Sequence, residues 1–176
     1  MFEPATTSTS TAVAQDDMQP PSSDWAVNDV EAVSPEKMAI VNATAPQLKE
    51  QAMAITMSFY YSMKDVYPEL IAKFAKQPRQ LSTAILAYCQ LLDDPPKLMK
   101  GVERIAKIHV DADITPDLYA LVGKGFIQAV GEVLGDQATP EVLEAWDDAF
   151  RVLSNVLIAS EKQLYSQRQR TDTVSV

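Results

Sequence analysis

Between residues 35 and 166, apolar side chains recur every three or four positions, the spacing of helices that bury one face. The clearest stripes are Leu118, Leu121, Val122, Gly125, Phe126, Ala129 and Val133, then Leu143, Trp146, Phe150, Leu153 and Leu157. No stretch alternates with the period of two that a half-buried strand shows. Prolines at 35, 46, 68, 78, 96, 116 and 140 each open a periodic run. Proline is well tolerated in a first helical turn, where its missing N–H had no partner to lose. Ser34, Thr115 and Thr139 stand just before three of these prolines, with hydroxyls able to cap free N–H groups. The pattern predicts an all-α chain with helices over 35–44, 46–65, 68–75, 78–93, 96–110, 116–134 and 140–166. Gly123, Gly125 and Gly131 weaken the sixth of these unless the backbone there must approach something closely.

Composition divides the chain. Residues 1–33 contain no Lys or Arg but carry Glu3, Asp16, Asp17, Asp24, Asp29 and Glu31, most of the net charge of −9. With its Ser/Thr-rich and Pro-containing tracts, this segment cannot bury enough apolar surface to offset its ordering entropy, and a disordered acidic tail is expected. A single folded domain is expected over 34–166, with a flexible tail over 167–176. The folded part is near charge balance and has no basic stripe, which argues against nucleic-acid binding. No run reaches membrane-spanning length and no secretory signal is evident, so a cytoplasmic protein is expected. Cys89 is the sole cysteine, which excludes an intrachain disulfide and fits a reducing compartment.

His109 is the only histidine. It shares a helical stripe with Val102, Ile105 and Ala106, and from spacing alone two readings stand open. One is a core histidine satisfied by a single hydrogen bond. The other is the sole protein ligand of a haem iron, whose opposite face stays open. Tyr60 and Tyr61 adjoin on one helix, so one of them must face outward.

The surrounding segments carry more. MAIVNATAPQLKE (38–50), SFYYSMKDVYPEL (58–70), QPRQL (77–81), AILAYCQLLDDPP (84–96), GVERIAKIHV (101–110), ITPDLYALVGKGF (114–126), EVLGDQATPEVLEAWDDAF (132–150) and NVLIASEKQLY (155–165) follow in order. Together, from Ser34 to Tyr165, they resemble the globin domain of flavohaemoglobins and the related bacterial single-domain haemoglobins. The resemblance implies a globin fold, a three-over-three helical sandwich around haem b, with His109 as the proximal ligand. It implies that Tyr60 donates a hydrogen bond to bound dioxygen, with Gln77 and Leu81 beside it on the distal side. Phe74 would pack against the porphyrin, Tyr119 would hydrogen-bond in the proximal pocket, and Val122 and Phe126 would face the haem. A carbonyl near Ile105, or the Tyr119 network, would orient the His109 ring.

Two departures from the family pattern stand out. The stretch between Phe74 and Gln77 is short, and Pro78 biases Gln77 away from α geometry. Gln163 occupies the position read as the family's proximal glutamate; Glu161, two residues away and about 200° around the helix, is set aside. A neutral Gln163 predicts a weaker electron push on the iron.

The resemblance implies reversible dioxygen binding and reaction with nitric oxide, with carbon monoxide as a further ligand. It extends to nitric oxide dioxygenation served by a separate reductase, since the residues after Tyr165 are too few for a flavin domain. Oxygen storage or delivery without catalysis, and a globin-fold sensor or interaction module, are the alternatives. A monomer or homodimer without membrane or nucleic-acid partners is expected.

Overall fold

The computed structural model describes residues 32–74, 79–91 and 95–174. Among them are α1 (Pro35–Glu50), α2 (Ala52–Met63), α3 (Pro68–Phe74), α4 (Arg79–Leu91), α5 (Pro95–Asp111), α6 (Pro116–Leu134) and α7 (Pro140–Val174), with a 3-10 turn at Gly135–Gln137. The predicted all-α class holds. The acidic segment through Glu31 lies outside the described residues.

Proline placement sets most helix starts, with one exception. Ser34 and Thr139 cap α1 and α7, accepting from the N–H groups of Lys37 at 3.3 Å and Val142 at 3.4 Å. Thr115 is extended ahead of α6 but makes no side-chain cap bond. Pro46 does not begin a helix; it lies inside α1, which runs on to a break at Gln51. Both Pro46 and Asn42, whose carbonyl the proline cannot reach, are on the solvent face. The proline ring thus meets solvent rather than a packed neighbour, which reduces the usual penalty of an interior proline. α7 also continues as helix through 167–174, where the sequence reading expects a flexible tail. That stretch contains neither Gly nor Pro to stop the helix.

The helices pack in two layers. α2 crosses α6, α1 and α7 run against each other, and α4 lies over α1 and α2. α5 packs on α7. Lys37 ties α1 to α7 through Glu144 at 2.7 Å and Asp148 at 2.6 Å. The Trp146 indole donates to Thr44 Oγ1 at 2.8 Å, giving this fully buried ring its polar partner.

Gly125 is the close-approach glycine. A Cβ there would lie 2.9 Å from Phe59 Cε2 and 3.0 Å from Met63 Sδ. Phe59 is only 2% exposed, so its ring has little room to yield. Gly125→Ala should therefore cost about 1–3 kcal/mol of overpacking, offset by about 1 kcal/mol of helix propensity. A lower urea midpoint is expected; an unchanged one would mean that the ring slides freely into the space beside it.

That space exists because the core is split. One buried cluster joins α1, α2, α4, α6 and the first half of α7, including Phe59, Ile85, Phe126 and Trp146. A smaller one joins Val102, Ala106, Ile114, Tyr119 and Leu157 beneath the α5–α6 corner. Well-packed interiors leave few voids larger than a water molecule. Here an open, apolar cavity lies between the two clusters.

Candidate functional site

The cavity walls come from α2, α4, α5, α6 and α7 and are almost wholly apolar. Tyr60, Leu81, Ile105, His109, Tyr119, Val122 and Phe126 all line it, bringing together most of the residues singled out from the sequence. Gln77 lies outside the described residues. Phe74 ends α3, and its side chain also lies outside them. Trp146, Phe150 and Leu153, which the sequence places on an apolar helical stripe, line the cavity too, as does Leu98; a wall facing a flat apolar guest has the same composition as a core.

On the α2 side, Tyr61 is 74% exposed while Tyr60 turns inward, against Phe59 in an edge-to-face pair with centroids 5.6 Å apart. Burial raises the Tyr60 phenol above its ordinary value, so it stays protonated and able to donate.

Across the cavity stands His109, in the last turn of α5. Its Nδ1 lies 2.9 Å from Glu161 Oε1 and 2.8 Å from the Tyr119 hydroxyl. The Tyr119 hydroxyl donates to that same Oε1 at 2.5 Å. Burial, then the hydrogen bond to Glu161 and its charge, hold the Tyr119 phenol well above its usual range, so its single proton stays committed to the carboxylate. An ionised carboxylate only accepts, so Nδ1 must carry a proton to engage it. In the neutral ring, Nε2 is then the nitrogen left with a lone pair. Tertiary contacts thus select the tautomer that a metal bound at Nε2 requires.

Glu161, not Gln163, is the residue of α7 that meets His109. Glu161 is 2% exposed, while Gln163 is on the solvent face. The roughly 200° separating them holds, but it puts Gln163 outside rather than Glu161. The signal was in the α7 stripe: Leu153 and Leu157 step by four, and the next step is residue 161. A carboxylate on the buried stripe breaks the apolar pattern, which is where a functional residue is expected. Glu161 Oε2 has no hydrogen-bond partner among the described residues. Leaving a buried acceptor unsatisfied costs about 1–3 kcal/mol, a cost that packing alone does not explain. The Tyr119–Glu161 pair, rather than the carbonyl near Ile105, orients the ring; Ile105 contributes to the wall.

Cys89 is half-buried on α4, and burial pushes its thiol up to about 11, so it remains a thiol and packs as a small apolar group.

A helical sandwich with a split core, an apolar cavity and one imidazole held from behind by a carboxylate is the architecture of a cofactor-binding α protein. The family described as Globin matches residues 57–157. The chain belongs to the globin family. It is 40% identical over 147 residues to a flavohemoprotein of Bordetella pertussis, a match covering 80% of this chain and 37% of that protein. A flavohemoprotein of Deinococcus radiodurans is 40% identical over 140 residues, covering 76% of this chain and 35% of the relative. The chain thus spans little over a third of the length of these curated relatives. Among solved structures, an engineered carbene transferase from Rhodothermus marinus superposes with a TM-score of 0.73 at 30% identity. That superposition covers 78% of this chain and 99% of the other. A bacterial globin from Campylobacter jejuni gives 0.67 at 26% identity, covering 76% and 99%.

The globin family implies a haem, and the residues present fit one. His109 offers Nε2 as an axial donor with its tautomer already set, and Val122, Phe126, Leu81 and Ile105 supply apolar walls for a flat macrocycle. No helix among the described residues is long and apolar enough to cross a membrane.

Proposed function

We propose that this protein is a cytoplasmic haem b globin that binds dioxygen reversibly and oxidises nitric oxide to nitrate, with electrons supplied by a reductase outside the globin region. The observation that carries the reading is the Tyr119–Glu161 grip on His109 Nδ1 at the edge of an apolar cavity. Storage or delivery of oxygen needs an axial imidazole and a dry pocket. It does not need a buried carboxylate behind the ring, and that carboxylate is what favours catalysis over storage.

His109 would hold the haem through Nε2, and the bound haem would supply an iron centre able to take diatomic ligands and to change oxidation state. Glu161, acceptor of the Nδ1–H, gives the imidazole partial imidazolate character and so increases electron donation through Nε2. Tyr119 holds the carboxylate on that nitrogen. On the other side, Tyr60 offers its hydroxyl as a donor toward a polar diatomic ligand, and the apolar walls keep water from competing.

The test is direct. The purified chain, reduced and exposed to carbon monoxide, should give the absorption spectrum of a histidine-ligated haem, and it should consume nitric oxide in the presence of dioxygen and an added reductant. A haem spectrum without nitric oxide consumption beyond one equivalent per haem would leave reversible oxygen binding as the function. No haem spectrum would overturn the reading.

Tyr60→Phe should lose a charge-assisted hydrogen bond worth about 1.5–3 kcal/mol. The dioxygen dissociation rate should rise by roughly one to two orders of magnitude, while carbon monoxide, a weak acceptor, should dissociate almost as before. Stopped-flow displacement measures both. Equal effects on the two ligands would assign Tyr60 to packing alone.

A further inference from the structure

α7 runs on past Glu161, and its later turns stay with the site. Leu157, Glu161, Tyr165 and Arg168 follow at helical spacing and form one stripe. The Tyr165 hydroxyl donates to the carbonyl of Ile114 at 3.0 Å. The Arg168 guanidinium reaches the carbonyl of Val110 at 3.5 Å and stands 3.8 Å from the Asp113 carboxylate. These acceptors bracket the turn that follows His109 and connects α5 to α6.

That turn needs holding. Asp113 sits at φ 52, in the left-handed region that residues with a Cβ rarely adopt. The turn is also coupled to the ligand: the carbonyl of His109 accepts from the N–H groups of Ala112 at 3.1 Å and Ile114 at 2.9 Å. A displacement of Ile114 therefore passes to the His109 backbone. Apart from the His109–Glu161 hydrogen bond itself, the rest of the described α5–α7 packing is apolar, through Val102, Ala106 and Leu157. Apolar burial is non-directional and does little to prevent one helix from sliding along another. A hydrogen bond from α7 to the corner is directional and sets that register. Of the two contacts, Tyr165 is the stronger, being half-buried and well inside hydrogen-bond range. Arg168 is 57% exposed, and its pairing with Asp113 contributes little in water; its contribution is the Val110 carbonyl.

We propose that Tyr165 and Arg168 are positioning residues: they clamp the α5–α6 corner to α7 and thereby keep the His109 ring in register with Glu161. The role in ligation rests on the haem reading above. The clamp itself is a property of the chain and is tested with and without haem.

The full chain is compared as Tyr165→Phe, as Tyr165→Phe/Arg168→Gln, and as Ser166→Ala, an exposed control in the same turn. Because His109 is the only histidine, its imidazole ¹⁵N signals are unambiguous. The unsubstituted chain without haem should show Nδ1 protonated. The double variant should move toward a mixture of the two tautomers, with Tyr165→Phe between. In the haem-loaded protein, the iron–histidine stretching band should shift and broaden, and haem transfer to an excess of scavenging apoprotein should speed up about threefold to tenfold, the effect of losing an ordinary hydrogen bond or two. Unchanged imidazole signals together with an unchanged transfer rate in the double variant would overturn the clamp. If the unsubstituted chain takes up no haem, the functional reading falls, while the haem-free imidazole signals still decide the clamp. Tyr165→Phe keeps the ring's packing, so its signals report the lost hydroxyl rather than a misfolded chain.

Discussion

His109→Ala should abolish haem retention. Loss of groups that merely support a ligand costs about 10–100-fold in metal affinity, and loss of the ligand itself should exceed that range. No other histidine exists in the chain to take its place. Removing the ring also opens a hole beside Tyr119 and Glu161, large enough for a free imidazole to enter and be held by the same carboxylate. Added imidazole should therefore restore part of the haem spectrum. Haem per chain, measured by absorption after purification, checks the first expectation, and an imidazole titration checks the second. Haem content and a ferrous spectrum unchanged from the parent would show that another group ligates the iron.

Glu161→Gln should have the second largest effect. The amide preserves shape and an acceptor oxygen while removing a negative charge 2.9 Å from Nδ1. That charge favours the more positive ferric state, so its removal should raise the haem reduction potential. A hydrogen bond to a charged group is worth about 1.5–3 kcal/mol, which for one electron corresponds to roughly 60–130 mV. The iron–histidine stretch should fall in frequency as the push weakens, and nitric oxide consumption should slow. Fold stability should not fall in parallel, because a desolvated charge with one oxygen unpartnered contributes little net stability. The contrasting variant is Gln163→Glu, two residues along and exposed; it should leave potential and stretch where they were. If the two substitutions had their effects interchanged, the α7 register described above would be wrong.

Much of the architecture was readable from the chain, because helix formation answers to local rules. Proline at a first turn, a hydroxyl before it and a recurring apolar face placed most helices within a few residues of their observed limits. The misses were places where local rules were met by something non-local or by solvent. Pro46 reads as a start, yet α1 carries it on its solvent face. The residues after Ser166 read as tail, being polar with no apolar stripe, yet they are helical to Val174, with Tyr165 and Arg168 anchored to the α5–α6 corner.

The site divides in the same way. Sequence by itself determined that one imidazole was available, that it lay on a buried face, and that no second histidine could compete for the iron within one chain. The resemblance to the flavohaemoglobin globin domain, not helical period, singled out Tyr60, Leu81, Val122 and Phe126, and all four reach the cavity wall. Only the tertiary structure decided which carboxylate stands behind His109 and which ring nitrogen is left to bind metal. The reason is physical. A helical period assigns a residue to a face, but its partner lies on another helix, and their meeting depends on crossing angle and axial register between helices that share no local sequence rule. A shift of two residues along α7 turns a side chain by about 200°, enough to exchange Glu161 in the pocket for Gln163.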